Sequence, residues 1–229
     1  MAVVRLLAGS KLAVAVVVTA SAVAGAGGFY LATQLTAEVV NHQQTVTLGT
    51  LILSNRVGDG AACLSAPDLT TDRNAQTCDA AFDLRVQKPG DSATAQIEIA
   101  NIGLLDASAL RVYAPQCSDD NAEPFHGSGN PCAKLQLYIQ LWTDATRATP
   151  ASCLYGGSAD GKRCDFSDPT KTIGAFVSVH DSVANALVVG PLSHGERDLF
   201  TIGVRLPIDT DNSYQGRRAT TSLAWHMTQ

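Results

Sequence analysis

Period-two alternation of apolar residues is the strongest constraint on what this chain can fold into. Leu135-Gln136-Leu137-Tyr138-Ile139-Gln140-Leu141-Trp142 alternates apolar with amphipathic residues, the pattern of a half-buried β-strand. Residues 95–101 repeat it, with Ile97 and Ile99 on one face. Residues 200–206 do so with Phe200, Ile202, Val204 and Leu206 inward. Asp83–Gln87 is a shorter case, and Thr220–Met227 is expected to close the chain as one strand. Val46–Leu48 and Leu51–Leu53 flank Gly49, which predicts a kinked or bulged strand. Turn residues punctuate these segments. Lys88-Pro89-Gly90-Asp91 has Pro at i+1 and Gly at i+2. Asn101-Ile102-Gly103 ends one strand, Ser193-His194-Gly195-Glu196 precedes another, and Pro207 stops it. Asp168 to His180 alone reads as helical, with Asp168 as N-cap and Pro169 at N1. Many short strands with Gly/Pro turns predict an all-β fold: an antiparallel two-sheet sandwich with Cys-rich loop insertions and at most one or two short helices.

The N-terminus is a different object. Residues 1–32 hold Arg5 and Lys11 but no acid, and Leu12 to Ala32 carries no charge. As a helix at about 1.5 Å per residue that run spans about 31 Å, enough for a bilayer core. The basic start, the apolar middle and small residues at Ala24, Ala26 and Ala32 equally fit a cleaved export signal. Residues 1–32 therefore read as a signal peptide or a membrane anchor. Residues 33–47 follow as an exposed N-terminal segment, and 48–229 as the sandwich. Removing 1–32 takes two cations and no acid, so net charge moves from −5 to −7.

Export sets the reading of the six cysteines, all of which lie beyond residue 37. Outside the cytosol thiols persist as disulfides. Three short intervals lie in polar, loop-like stretches, which predicts the sequential pairs Cys63–Cys78, Cys117–Cys132 and Cys153–Cys164. Each would be worth about 2–4 kcal/mol through loop closure. No Cys-x-x-Cys occurs and no His stands at ligand spacing from a Cys, so no metal is expected.

The function classes narrow in the same way. An acidic chain with 16 Lys and Arg lacks the clustered cations that nucleic-acid binding needs. His42, His126, His180, His194 and His226 are too far apart for the His-Glu-x-x-His of a zinc peptidase. Gly156-Gly157-Ser158-Ala159-Asp160 lacks the last glycine of a hydrolase elbow. Asp209, Asp211 and Asn212 fall short of a calcium loop. Trp142 and Trp225 sit on strands, where packing is the default role. No catalytic residue, cofactor or metal is expected. A secreted or anchored binding module remains an alternative, with recognition carried by loops 114–134 and 143–168. A metallopeptidase is the weaker one.

Several short pieces, in order, resemble the TasA/camelysin family of bacterial surface and biofilm-matrix proteins. They are Gly27-Gly28-Phe29-Tyr30-Leu31-Ala32, Leu48-Gly49-Thr50-Leu51-Ile52-Leu53, Lys88-Pro89-Gly90-Asp91, Asn101-Ile102-Gly103, Leu206-Pro207, Asn212-Ser213-Tyr214-Gln215-Gly216 and Leu223-Ala224-Trp225. The six cysteines, and the lack of an acidic motif in 33–45, depart from the family pattern. The resemblance implies a jelly-roll, export through a dedicated signal peptidase, and head-to-tail assembly with other copies of the chain into extracellular fibres. In that assembly the N-terminal segment of one subunit completes a neighbour's sheet. Leu35, Ala37 and Val39 alternate as such a donor strand requires. A flexible tail, or a strand in the chain's own sheet, is the other reading of that segment.

Overall fold

The computed structural model describes residues 50–65 and 88–229, apart from 123 and 125. The signal or anchor, the donor segment, the expected strand at 83–87 and Cys78 lie outside the described residues. Within them the chain forms β1 (Leu53–Val57), β2 (Cys63–Leu64), β3 (Ser92–Asn101), β4 (Ala107–Tyr113) and β5 (Cys117–Asn121). Helix α1 (Pro131–Lys134), β6 (Gln136–Trp142), β7 (Pro150–Tyr155) and helix α2 (Ile173–Val179) follow. Then come β8 (Leu187–Leu192), β9 (Arg197–Arg205), β10 (Arg217–Thr221) and β11 (Ala224–Thr228). Every strand pair is antiparallel. One sheet has the order β2-β1-β3-β9-β6-β7, a second β11-β4-β8, and β10-β5 form a two-stranded ribbon. Among the described residues no helix is long and apolar enough to cross a membrane.

The alternating segments become the centre of the large sheet. Ile97 pairs with Phe200, and Ile139 with Ile202, so their side chains share one face. That face meets Ala107, Leu110, Val112 and Leu192 of the second sheet in one buried cluster. Phe200 stacks on Trp225 with ring centroids 4.6 Å apart.

Strand β9 is also buried on its other face, through Leu199, Thr201 and Gly203. Gly203 is required there, because a Cβ would lie 2.2 Å from the Tyr138 ring. The ring of Tyr138 packs on Phe166 at 4.9 Å, and Trp142 Nε1 donates to Thr201 Oγ1 at 2.9 Å. The cover on this side is the stretch between Cys153 and Thr172. It turns two glutamines of the alternating β6 into buried residues. Gln140 Oε1 accepts from Cys164 N at 2.6 Å. Its amide nitrogen lies 2.7, 2.9 and 2.8 Å from the carbonyls of Leu141, Ser152 and Lys162.

Asn101, fully buried at the end of β3, ties the passage between the sheets. Its Nδ2 donates to Leu105 O at 2.8 Å and Leu192 O at 3.0 Å, and its Oδ1 accepts from Gly103 N at 3.1 Å. Gly103 lies so close to the 50–52 backbone that a Cβ would fall 2.2 Å from Thr50 O. The turn at 88–91 forms as expected, with Asp91 N donating to Lys88 O at 3.0 Å and Gly90 at φ 92°.

Four expectations need correction. The helix begins at Ile173, capped by Thr172, and not at Asp168. Asp168 Oδ1 is already used by the amide and hydroxyl of Thr170 in a turn over 168–171, and Leu137 N donates to Lys171 O at 2.8 Å, which holds Lys171 and Thr172 beside β6. The closing strand is two strands. β10 pairs with β5 and β11 with β4, and the ribbon bends where Ala114 N donates to His180 O at 2.8 Å. Leu51 and Ile52, expected in the strand around Gly49, precede β1, which starts at Leu53, because the carbonyl of Thr50 serves the amides of Leu104 and Leu105; residues 46–49 lie outside the described residues. The presumed loops 114–134 and 143–168 contain β5, α1 and β7, so Cys117 and Cys153 lie on strands.

The Asn101 clamp is testable. Asn101→Ala strands two buried carbonyls and the Gly103 amide, and should cost about 2–3 kcal/mol in urea unfolding. Leu104→Ala, at a side chain 56% exposed, should stay within about 0.5 kcal/mol of the parent.

Candidate functional site

The cysteines come together as staples between elements. Cys117 of β5 is bonded to Cys132 of α1, and Cys153 of β7 to Cys164 of the covering stretch. Cys63 is also disulfide-bonded, and Cys78, its expected partner, lies outside the described residues. Such bonds persist in an oxidising compartment.

The sheet edges are unequal, and the difference follows from sequence. An unpaired edge is a template for another strand unless something blocks it. Strand β2 is two residues long. Strand β7 begins at Pro150, and its Cys153 N is taken by Gly161 O at 3.0 Å. Strand β8 carries Gly190 and Pro191 and two register shifts. The β10-β5 ribbon is rimmed by charge. Arg218 makes two bonds of 2.8 Å to Asp120, and Arg217 pairs with Asp119.

Strand β11 has none of these devices. Ala224-Trp225-His226-Met227-Thr228 contains no Pro, Gly, acid, Lys or Arg, and pairs with β4 without a break in register. Among the described residues no strand lies on its other side. All five residues are half-buried. Trp225 and Met227 stand opposite Val112 and Leu110, facing the core, while His226 stands opposite Arg111 on the outer face. The Arg111 Nε is buried without a hydrogen-bond partner among the described residues. The alternation of 220–227 marked a strand here, but its place at an edge is a property of pairing and had no local signal.

The residues weighed as catalysts are scattered. His126 is exposed, and His180 stacks on Phe176 at 4.8 Å with Nδ1 2.8 Å from Asn185 O. His194 Nδ1 contacts Gly103 O, and Glu196 closes its own turn by accepting from Ser193 N at 2.8 Å. His42 lies outside the described residues. Ser158 donates to Asp160 at 3.2 Å inside the Cys153–Cys164 loop. Asp209 pairs with Lys134 at 3.1 Å, while Asp211 caps the turn at Asn212–Tyr214 through Ser213. Among the described residues no group of three or more His, Cys, Asp or Glu side chains is placed to hold a metal ion.

The aspartates do structural work. In Asp144-Ala145-Thr146, Asp165-Phe166-Ser167, Asp168-Pro169-Thr170 and Asp211-Asn212-Ser213, the carboxylate accepts from the amide and hydroxyl two residues on. Those bonds favour the charged form and hold these carboxyls below their ordinary range. Asp198 is the opposite case. It faces inward opposite Ile99, and burial, aided by the charge of Glu196, pushes its carboxyl up to about 6.

No protein-family model matches the chain, and no curated protein matches it. Among solved structures it aligns with one described by the words "AvmM Catalyzes Macrocyclization in Alchivemycin A Biosynthesis". Identity is 11%, over 62% of this chain and 82% of that one, with a TM-score of 0.25. A likeness of that size carries no argument about fold or activity. What the residues themselves define is a disulfide-stapled antiparallel β protein with one unguarded sheet edge among the described strands.

The outer staple and the buried carboxyl can each be tested. Replacing Cys153 and Cys164 by Ala together opens a loop of sequence separation 11 and should cost about 3 kcal/mol, read by urea unfolding under oxidising conditions. For Asp198, the folded value of about 6 lies above the ordinary 3.8. Between those values the folded chain holds a proton that the unfolded chain has released, so stability contributed by this group falls as pH rises through the window. Asp198→Asn should therefore raise Tm at pH 7.5 and leave it nearly unchanged at pH 3.5.

Proposed function

We propose that the protein is an exported structural subunit, a jelly-roll that assembles head to tail into extracellular fibres or matrix by adding a strand from one copy to the β11 edge of the next. The observation that carries this reading is the contrast among the described edges: the others are short, kinked, charged or covered, and β11 is regular and carries no acid, Lys or Arg. Disulfides support export to an oxidising compartment.

The segment Thr33–Thr47 has the composition of the donor. With Leu35, Ala37 and Val39 turned toward the core beside Trp225 and Met227, Glu38 falls on the outer face, where His226 and Arg111 lie. Cleavage after residue 32 would free this segment. A heterologous exchange of this kind does not close on itself and makes a filament.

The test is removal of Thr33–Val40 from the exported protein. Electron microscopy should show filaments for residues 33–229 and dispersed monomers for 41–229. A synthetic peptide of residues 33–47 should bind the truncated protein and raise its Tm. Filaments that persist after the deletion would overturn the reading.

A further inference from the structure

We propose that a cleft beside Arg205, at the end of the large sheet away from the Asn101 corner, binds a small carboxylate carried on an apolar group. The cleft has a volume of about 420 Å³, within the range of small-ligand sites. Its walls include Phe166, Pro169, Pro207 and Ile208, and its polar floor is Arg205 with Gln136. It is separate from the β11 edge and does not rest on the assembly of copies.

Arg205 is held in place before any ligand arrives. Its Nε and Nη2 donate to Gln136 Oε1 at 3.0 and 2.8 Å, and Nη2 also donates to Phe166 O at 2.7 Å. Gln136 is itself buried and fixed, its amide donating to Phe166 O and Asp168 O at 3.2 Å each. The guanidinium carbon lies 4.8 Å from the Phe166 ring centroid. Preorganisation of this kind removes an ordering cost from binding.

The positive charge of this group is poorly matched. Arg205 makes no ion pair among the described residues. Asp165, whose carboxyl feels the Arg205 charge, is bonded to the amide and hydroxyl of Ser167. Asp209, on the cleft wall, is engaged by Lys134 at 3.1 Å. The Nη1 group has no hydrogen-bond partner among the described residues and is not among the buried unpartnered atoms, so its two N–H groups remain for a ligand.

The donor arrangement selects the ligand. With Nε and Nη2 occupied, the bidentate fork that grips carboxylate or phosphate is not available, and one nitrogen serves one anionic oxygen, which suits a singly charged group better than a dianion held beside Asp165 and Asp209. The rest of the cleft offers carbon. Ile208 at its mouth is 80% exposed, an apolar side chain that a ligand tail would cover. It lies over the 88–91 turn, where a Cβ on Gly90 would fall 2.9 Å from Ile208 Cδ1.

Isothermal titration calorimetry of the exported chain with hexanoate, hexanol, acetate and inorganic phosphate tests this. Hexanoate should bind saturably at one site. Hexanol, which lacks the charge, and acetate, which lacks the tail, should each bind at least tenfold more weakly. Ile208→Asp places a like charge at the mouth and should weaken hexanoate at least tenfold with Tm unchanged, while Leu104→Asp, at an exposed side chain by the Asn101 corner away from the cleft, should bind as the parent does. The proposal is overturned if hexanoate gives no saturable heat, if Ile208→Asp binds it equally, if hexanol binds as well as hexanoate, or if phosphate binds in preference to it.

Discussion

The structure depends on burying both faces of β9. A strand in the middle of a six-stranded sheet, with Leu199, Thr201 and Gly203 on one side and Phe200, Ile202 and Val204 on the other, has no solvated face. Two separate covers are needed. The three-stranded sheet supplies one through Leu110, Val112 and Trp225. The stretch after Cys153 supplies the other, with Phe166 packed on Tyr138 and Cys164 N bonded to the buried side chain of Gln140 in β6. Each cover has its own fastening. Asn101 locks the crossing to the second sheet, and Cys153–Cys164 locks the outer stretch. Apolar burial supplies the drive, and buried amides and disulfides choose one arrangement of it.

The second cover explains how the sparse charges are used. Loops that lie flat on a sheet must satisfy their own backbone groups, and short aspartate turns do this at Asp165 and Asp168. Arg205 and Gln136 fasten the same loop from below. Asp165 is thereby committed to its own turn and Asp209 to Lys134, so neither pairs with Arg205. The cation that anchors the loop is, for that reason, the one that faces an apolar cleft.

Sheet edges connect the fold to the assembly we propose. Protection by proline, bulge, charge or covering loop is distributed over the other described edges, and its absence at β11 is visible only by comparison with them. Because β11 packs Trp225 and Met227 toward the core, an added strand there would extend the second sheet over the same cluster that β9 helps to build.

Residue order alone was enough to specify the strands with clean alternation, the 88–91 turn and the end of β3 at Asn101, because these depend on neighbours in the chain; the clamp that Asn101 makes on Leu192 does not. Strands β4, β5, β7 and β8 were not legible. Cys117-Ser118-Asp119-Asp120-Asn121 has no apolar alternation and is a strand through its pairing with β10, where Arg218 lies opposite Asp120 and Arg217 reaches Asp119. Gln136 and Gln140 read as the wet face of β6, and only the loop folded over them makes them buried. The helix start moved from Asp168 to Thr172 because β6 claims the intervening backbone. Local periodicity decides which segments extend. Tertiary packing decides which of their faces and edges remain open, since that depends on residues far away in the chain.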